Sequence, residues 1–333
     1  MRNAKLILIE GIPGSGKSTL AQFIAHTLAR QGIACQWWYE EEKDHPLYVF
    51  HDQASLLHTI DALSSGRYRE VMAAALEKWQ AFAQKLQSSE AVAILDGCLF
   101  GYLTWSLFPL DIPAEEIQSY LSQIEQIIQP IHPCLIYLYQ QDTAQALEKI
   151  CARRGDETRS RLIAQATLST YGQQRGLQGF DGMVKYWKDF RVLVEAAFSH
   201  FDASKLALEN SARDWHTYEQ NALDFLDLPA AEEANIPLSS LKRFAGICHF
   251  ENSEGQQSCL VQIENDHLIV DGMPQVWQRT RLIPRSRNEF TVASIPIQVI
   301  FEEDTDGVIS SVRASGPELL FGAVDCLFVR EIA

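Results

Sequence analysis

The chain begins its pattern with four consecutive apolar residues, Leu6-Ile7-Leu8-Ile9, between Lys5 and Glu10. A short continuous apolar run reads as a strand buried on both faces. From Lys17 to Gln31 the spacing turns helical, with Leu20, Phe23, Ile24, Thr27 and Leu28 on one side and Gly32 as the stop. The alternation continues, with strands expected at 33–39, 91–95, 134–139 and 205–208. Helices are expected at 67–87, 114–129, 143–152, 159–171, 182–198 and 213–226. Such alternation predicts a parallel sheet covered by helices on both faces, with ligands bound at the carboxyl ends of the strands. Gly11, Glu40 and Asp96 each follow an expected strand, so they can share that crevice.

After Leu228 the pattern changes. Residues 229–237, rich in Pro, Ala and Glu, read as a linker. From Leu241 onward short strands are separated by turn signals, at 258–263, 267–270, 280–284, 289–292, 297–302, 307–313 and 326–330. This predicts a small antiparallel barrel or sandwich. The expected division is an α/β domain over 1–228, a linker over 229–240 and an all-β accessory domain over 241–333.

The chemistry concentrates in the first turn after the first strand. Gly11-Ile12-Pro13-Gly14-Ser15-Gly16-Lys17-Ser18 satisfies the P-loop spacing, and Thr19 follows. Small residues let successive backbone N–H groups curl around a phosphate. The next helix aims its N-terminus, with roughly half a positive charge, at the same anion. Residues 11 and 13–19 are therefore the expected ATP cradle. Lys17 is expected on the β- and γ-phosphates and Ser18 on Mg2+. Asp96 ends an apolar strand, where a carboxylate can hold the water shell of the same ion.

The run Glu10 to Thr19 resembles the start of the P-loop kinases that phosphorylate nucleosides, nucleotides and small metabolites. By element order the resemblance extends over roughly 1–228 and implies the three-layer P-loop NTPase fold, with ATP and Mg2+ as cofactors. It implies an arginine-rich lid after the fourth strand. Arg153, Arg154, Arg159 and Arg161 stand there, and Arg153 or Arg154 is expected to stabilise charge on the transferring phosphoryl group. The segment Asp96-Gly97-Cys98 departs from the Asp/Glu-Arg pattern of many nucleotide kinases, which counts against direct contact with a nucleotide acceptor. In the deoxynucleoside kinase-like group, a carboxylate after the second strand accepts the proton of the attacking hydroxyl. Glu40, Glu41 and Glu42 all stand there. Glu40 is favoured because it comes first after the apolar strand. His45 is a candidate substrate contact or alternative base. Aromatics gather before and after the third strand, from Trp37 to Trp79 and from Tyr102 to Phe108, where related kinases place their acceptor. Residues 211–215 fall where such kinases wrap adenine.

The segment Leu241 to Ile247, with the strands that follow, resembles lipocalin-like β-domains appended to bacterial hydrolases. Asp304-Thr305-Asp306-Gly307 lacks the later ligands of a calcium loop and reads as a hairpin turn.

Composition narrows the choice of partner. The chain has 333 residues, 47% hydrophobic and 21% charged, and a formal net charge of −15, which argues against broad nucleic-acid binding. No apolar run is long enough to span a membrane, and the N-terminus lacks the pattern of a secretory signal, so a cytoplasmic location is expected. Cysteines at 35, 98, 134, 151, 248, 259 and 326 include no CxxC pair, so reduced thiols are expected. The leading expectation is a kinase acting on a hydroxyl of a nucleoside, nucleotide, sugar or antibiotic. The alternative is a nucleotide-dependent switch or partner-binding NTPase with the β-domain as its binding module. Sequence leaves the acceptor and the oligomeric state open.

Overall fold

The computed structural model describes residues 4–230, 237–252, 255–320 and 322–330. Half of the expected linker, 231–236, lies outside the described residues. The chain divides into two units: Met1–Glu40 with Asp44–Ala230, and Glu41–Lys43 with Ala231–Ala333.

The first unit runs β1 (Leu6–Gly11), α1 (Lys17–Arg30), β2 (Cys35–Trp38), α2 (Gln53–Ser64), α3 (Tyr68–Gln87), β3 (Val92–Asp96) and α4 (Ala114–Ile128). It continues with β4 (Pro133–Tyr139), α5 (Thr143–Arg154), α6 (Asp156–Thr167), α7 (Thr170–Gln174), α8 (Gly179–His200), β5 (Ser204–Glu209) and α9 (Trp215–Leu226). Five parallel strands lie in the order β2-β3-β1-β4-β5. Because β1 is central, all six of its residues are buried. Alternate side chains point to opposite faces. Ile7 and Ile9 pack with Leu20, Ile24 and Leu223 of α1 and α9. Leu6 and Leu8 join the core of Trp79, Tyr120, Trp187 and Phe190 from α3, α4 and α8. The result is three layers, with the ends of β1 and β3 opening at the same edge.

Three local features differ from the expectation. Helix α2 was not foreseen: Leu57 and Ile60 are exposed while Thr59 and Ala62 are buried, so its polarity pattern misleads. Its start is set instead by Asp52, whose carboxylate accepts from the Ser55 N–H at 2.7 Å. Helix α5 runs through the paired arginines to Arg154, and Gly155, at φ 86°, turns the chain into α6. The single helix expected over 159–171 is two, because Ser169 caps α7 by accepting from the Gly172 N–H at 3.0 Å.

The second unit contains β6 (Gly246–Asn252), β7 (Gly255–Glu264), β8 (His267–Asp271), β9 (Thr280–Pro284), β10 (Glu289–Val292), β11 (Gln298–Glu303), β12 (Ile309–Ser315) and β13 (Cys326–Arg330). All neighbours are antiparallel and the eight strands close into a barrel. Phe244, Phe290 and Phe301 meet inside it with ring centroids 4.6–5.4 Å apart. Asp304 accepts from the N–H groups of Asp306 and Val308, both at 2.9 Å, so its carboxylate closes the hairpin turn between β11 and β12. Of the seven cysteines, all free, five are buried.

Candidate functional site

The P-loop forms where β1 gives way to α1. Gly11 ends the strand, Ile12 to Ser15 make the turn, Gly16 caps the helix, and Lys17, Ser18 and Thr19 form its first turn. The Ser15 N–H donates to the Ile12 carbonyl at 3.1 Å. Gly16 has φ 92°, and a Cβ there would stand 2.2 Å from the Trp215 ring, so glycine is required on both counts. With glycine as the cap, no side chain supplies an acceptor to the start of α1. The positive end of the helix is thereby left for an anion. Asn210, buried just after β5, donates from Nδ2 to the Ser15 carbonyl and braces the loop from the other side.

Three carboxylates surround Lys17, which is 6% exposed. Its ammonium lies 3.6 Å from Glu40 Oε2. Burial works to lower the Lys17 pKa, but the charges of Glu40, Asp96 and Glu10 together outweigh it and raise the pKa. Glu40 is the member of the glutamate triplet that meets Lys17. Glu41 and Glu42 belong to the second unit, where the Glu41 carbonyl accepts from the Leu320 N–H at 2.8 Å and Glu42 bridges Leu319.

Asp96, at the end of β3, is fully buried. Burial foremost, and then the Glu40 charge, hold its pKa well above the ordinary carboxylate value, while Lys17 and the nearby Ser18 side chain pull the other way. Among the described residues neither Asp96 oxygen has a hydrogen bond of ordinary geometry, and Ser18 is the side chain whose hydroxyl acts on this carboxyl. A fully buried carboxyl beside the P-loop serine fits a hard cation that carries most of its ligands with it, as Mg2+ does on a nucleotide. Among the described residues no group of three or more His, Cys, Asp or Glu side chains could hold a metal alone.

Arg153 and Arg154 end α5, where cations also suit the helix dipole. The Arg154 charge is felt at Lys17. Arg153 presents an open surface, yet partial desolvation, followed by repulsion from Arg154 and Arg213, lowers its pKa. Arg213, on the turn after β5 at φ 58°, therefore belongs to the same basic group. Arg159 packs over the Phe180 ring at 4.7 Å.

His45 is only 4% exposed. Its Nε2 lies 3.1 Å from Cys98 Sγ, and its Nδ1 accepts from the Leu47 N–H at 3.3 Å. Burial lowers its pKa to about 3, so the ring is neutral. It stands in a row of rings: 5.9 Å from Trp38 and 4.6 Å from Tyr48, with Phe50 and Trp105 beyond. The ring is thus enclosed by packing, and both nitrogens already meet neighbouring groups.

Glu10 and Asn210 were not singled out by sequence, and Arg213 entered there as part of the 211–215 segment expected around adenine. A signal existed for Asn210: it directly follows an apolar strand, as Glu40 and Asp96 do. Glu10 closes the first apolar run as a polar residue that the sheet nevertheless buries.

A family model described as "Nephrocystin 3, N-terminal" matches residues 1–99, the stretch holding the P-loop, β2 and β3. No curated protein sequence matches the chain. Among solved structures, a thymidylate kinase from Candida albicans is similar at 17% identity and a TM-score of 0.38, covering 67% of this chain and 92% of that one. The YorR protein of Bacillus subtilis, solved in complex with phosphorylated GDP, is similar at 13% identity and a TM-score of 0.34, covering 67% and 95%. The α/β fold assignment rests on the strand order and the loop described above.

Proposed function

We propose that the protein is an ATP-dependent phosphotransferase acting on a hydroxyl group of a small molecule. The observation that carries this reading is the Glu40 carboxylate 3.6 Å from the Lys17 ammonium, at the mouth of the P-loop. A carboxylate beside the lysine that binds the terminal phosphate is placed to take a proton from an attacking hydroxyl.

In this mechanism the P-loop amides and Lys17 hold the β- and γ-phosphates. Ser18 and Asp96 would hold Mg2+, which neutralises charge on the phosphate oxygens when bound. Glu40 orients the acceptor hydroxyl and receives its proton as the new O–P bond forms. The bond between the γ-phosphorus and the bridging oxygen breaks, and ADP leaves. Arg153 and Arg154 offset charge on the transferring group. The ring row from Trp38 to Trp105 offers an apolar wall for the acceptor. His45, neutral and enclosed, supports that wall rather than titrating.

The test is ADP release with and without a panel of hydroxyl-bearing metabolites, for the wild type and Glu40→Gln. The expected result is acceptor-dependent release that Glu40→Gln lowers by about 10²-fold with little change in ATP affinity. Turnover that ignores every acceptor and survives Glu40→Gln would favour a nucleotide switch instead.

A further inference from the structure

Glu10 has no step in the chemistry above, yet it is fully buried next to it. It lies on β1, one residue before Gly11. Its carboxylate accepts from three successive main-chain N–H groups: Leu99 on Oε1 at 2.7 Å, and Phe100 and Gly101 on Oε2 at 3.1 and 3.2 Å. Consecutive N–H groups that converge on one point form an anion nest, and here the anion is a side chain of the protein. The same turn is held at its start by β1, because the Gly97 N–H donates to the Ile9 carbonyl at 2.9 Å. Two adjacent residues of β1 therefore fix both ends of 97–101, one through its backbone and one through its side chain.

That turn is the floor under the reacting groups. Gly97 has φ +68°, and a Cβ there would stand 2.3 Å from Glu40 Oε2 and 2.8 Å from Lys17 Cε. A Cβ on Gly101 would be 3.9 Å from the same Glu40 oxygen. A small displacement of the turn would either push Glu40 from Lys17 or open a gap beneath it. We propose that Glu10 is a positioning residue for phosphoryl transfer: its carboxylate fixes the 97–101 turn and so seats Glu40 against Lys17. The proposal rests on the kinase reading for its effect on rate, and on the structure alone for the anchoring of the turn.

The anchor also has a pH dependence. Burial raises the Glu10 pKa to about 7, partly offset by the Leu99 bond, the Lys17 charge and the Gly101 and Phe100 bonds. The charged groups that act on it are Lys17 and Asp96, with Glu40 3.6 Å from Lys17. Above pH 7 both oxygens are strong acceptors. Below it, one becomes a hydroxyl and the grip on the turn loosens.

The experiment compares wild type and Glu10→Gln by hydrogen exchange of the 99–101 amides, ATP·Mg calorimetry and acceptor-dependent ADP release across pH. For Glu10→Gln we expect exchange at 99–101 about tenfold faster or more, and kcat lower by about 10- to 100-fold. ATP affinity should stay within about threefold, and the acid limb of the kcat–pH profile near 7 should move or vanish. Wild-type exchange at 99–101 in the variant, or a wild-type kcat and pH profile, overturns the proposal. Should the variant fail to fold, the wild type decides alone: the 99–101 amides must be protected well beyond their intrinsic exchange rates although they lie in a turn, and exchange at the intrinsic rate overturns the anchor. If the wild type shows no acceptor-dependent ADP release, the kinase reading fails, and the exchange data still decide whether Glu10 holds the turn.

Discussion

The barrel closes over Phe244, Phe290, Phe301 and Phe328, each no more than 2% exposed, and its buried polar side chains among the described residues are the hydroxyls of Thr280 and Thr291. The carboxyl ends of β1 and β3 enclose Glu10, Lys17 and Asp96 instead. Apolar burial stabilises at about 25 cal/mol per Å2, whereas burying a charge costs several kcal/mol before any partner is counted. The α/β unit thus keeps, at the heart of its sheet, groups that packing alone would disfavour, each with its proton affinity raised. Perturbed ionisable groups gathered in this way mark sites of chemistry more often than sites of stability. The barrel carries the other signature, that of a packed core.

Substitutions should separate the two regions. The largest effect is expected for Lys17→Ala, which removes the ammonium that faces Glu10, Glu40 and Asp96. It should cut ATP-dependent turnover by about 10³-fold or more and weaken nucleotide binding. Calorimetry and ADP release check this, and unchanged values for both would remove the basis of the comparison. The double variant Arg153→Ala/Arg154→Ala should lower kcat by roughly 10²-fold with a smaller change in ATP affinity. The double Lys variant should rescue poorly, because an ammonium lacks the planar fork. Full activity in the Ala variant would assign both arginines to the dipole of α5.

In the barrel the expectation is reversed. Phe301→Ala should destabilise that unit by about 3–5 kcal/mol through the cavity it leaves. Denaturant melts would show the loss, while ATP affinity should stay within about twofold. A large loss of ATP affinity at a temperature where the variant remains folded would break the division of roles.

A subtler effect is a pH dependence of stability. The Glu10 pKa is raised from 4.5 to about 7 in the folded chain. Its contribution is fully present below 4.5 and is lost as pH rises through 7, by about 3 kcal/mol. His45, lowered from 6.5 to about 3, acts in the opposite sense: its contribution is present above 6.5 and falls away as pH drops toward 3. The two slopes oppose each other between 4.5 and 6.5, so wild type alone would show little there. The difference between Glu10→Gln and wild type isolates the first slope: relative to wild type, the variant should gain stability as pH rises from 4.5 to 7. Parallel stability curves would contradict the burial of an ionisable Glu10.

What sequence could reveal follows from how local each cause is. The P-loop is a strand, a turn and a helix start within fourteen residues, so its spacing alone identified it. Glu40 could be favoured but not separated from Glu41 and Glu42, because the separation depends on Leu319 and Leu320, far along the chain. Glu10 reads locally as the end of a strand. Its partners, Leu99 to Gly101, become neighbours only once β1 and β3 pair. Strand β6 was not delimited because its inward Cys248 and outward Ile247 blur the polar–apolar alternation, and only pairing with β7 and β13 fixes it. His45 looked like an available imidazole because nothing in its sequence neighbourhood announces Cys98, whose sulfur it meets.

The most direct measurement follows the terminal phosphate itself. Protein incubated with γ-labelled ATP·Mg and a defined mixture of nucleosides, nucleotides, sugars and aminoglycosides can be examined by mass spectrometry for a labelled small molecule. The account predicts one acceptor class carrying the label with the wild type and at least about 10²-fold less product with Glu40→Gln. Label found solely in inorganic phosphate, in equal amount with and without the mixture, would contradict it.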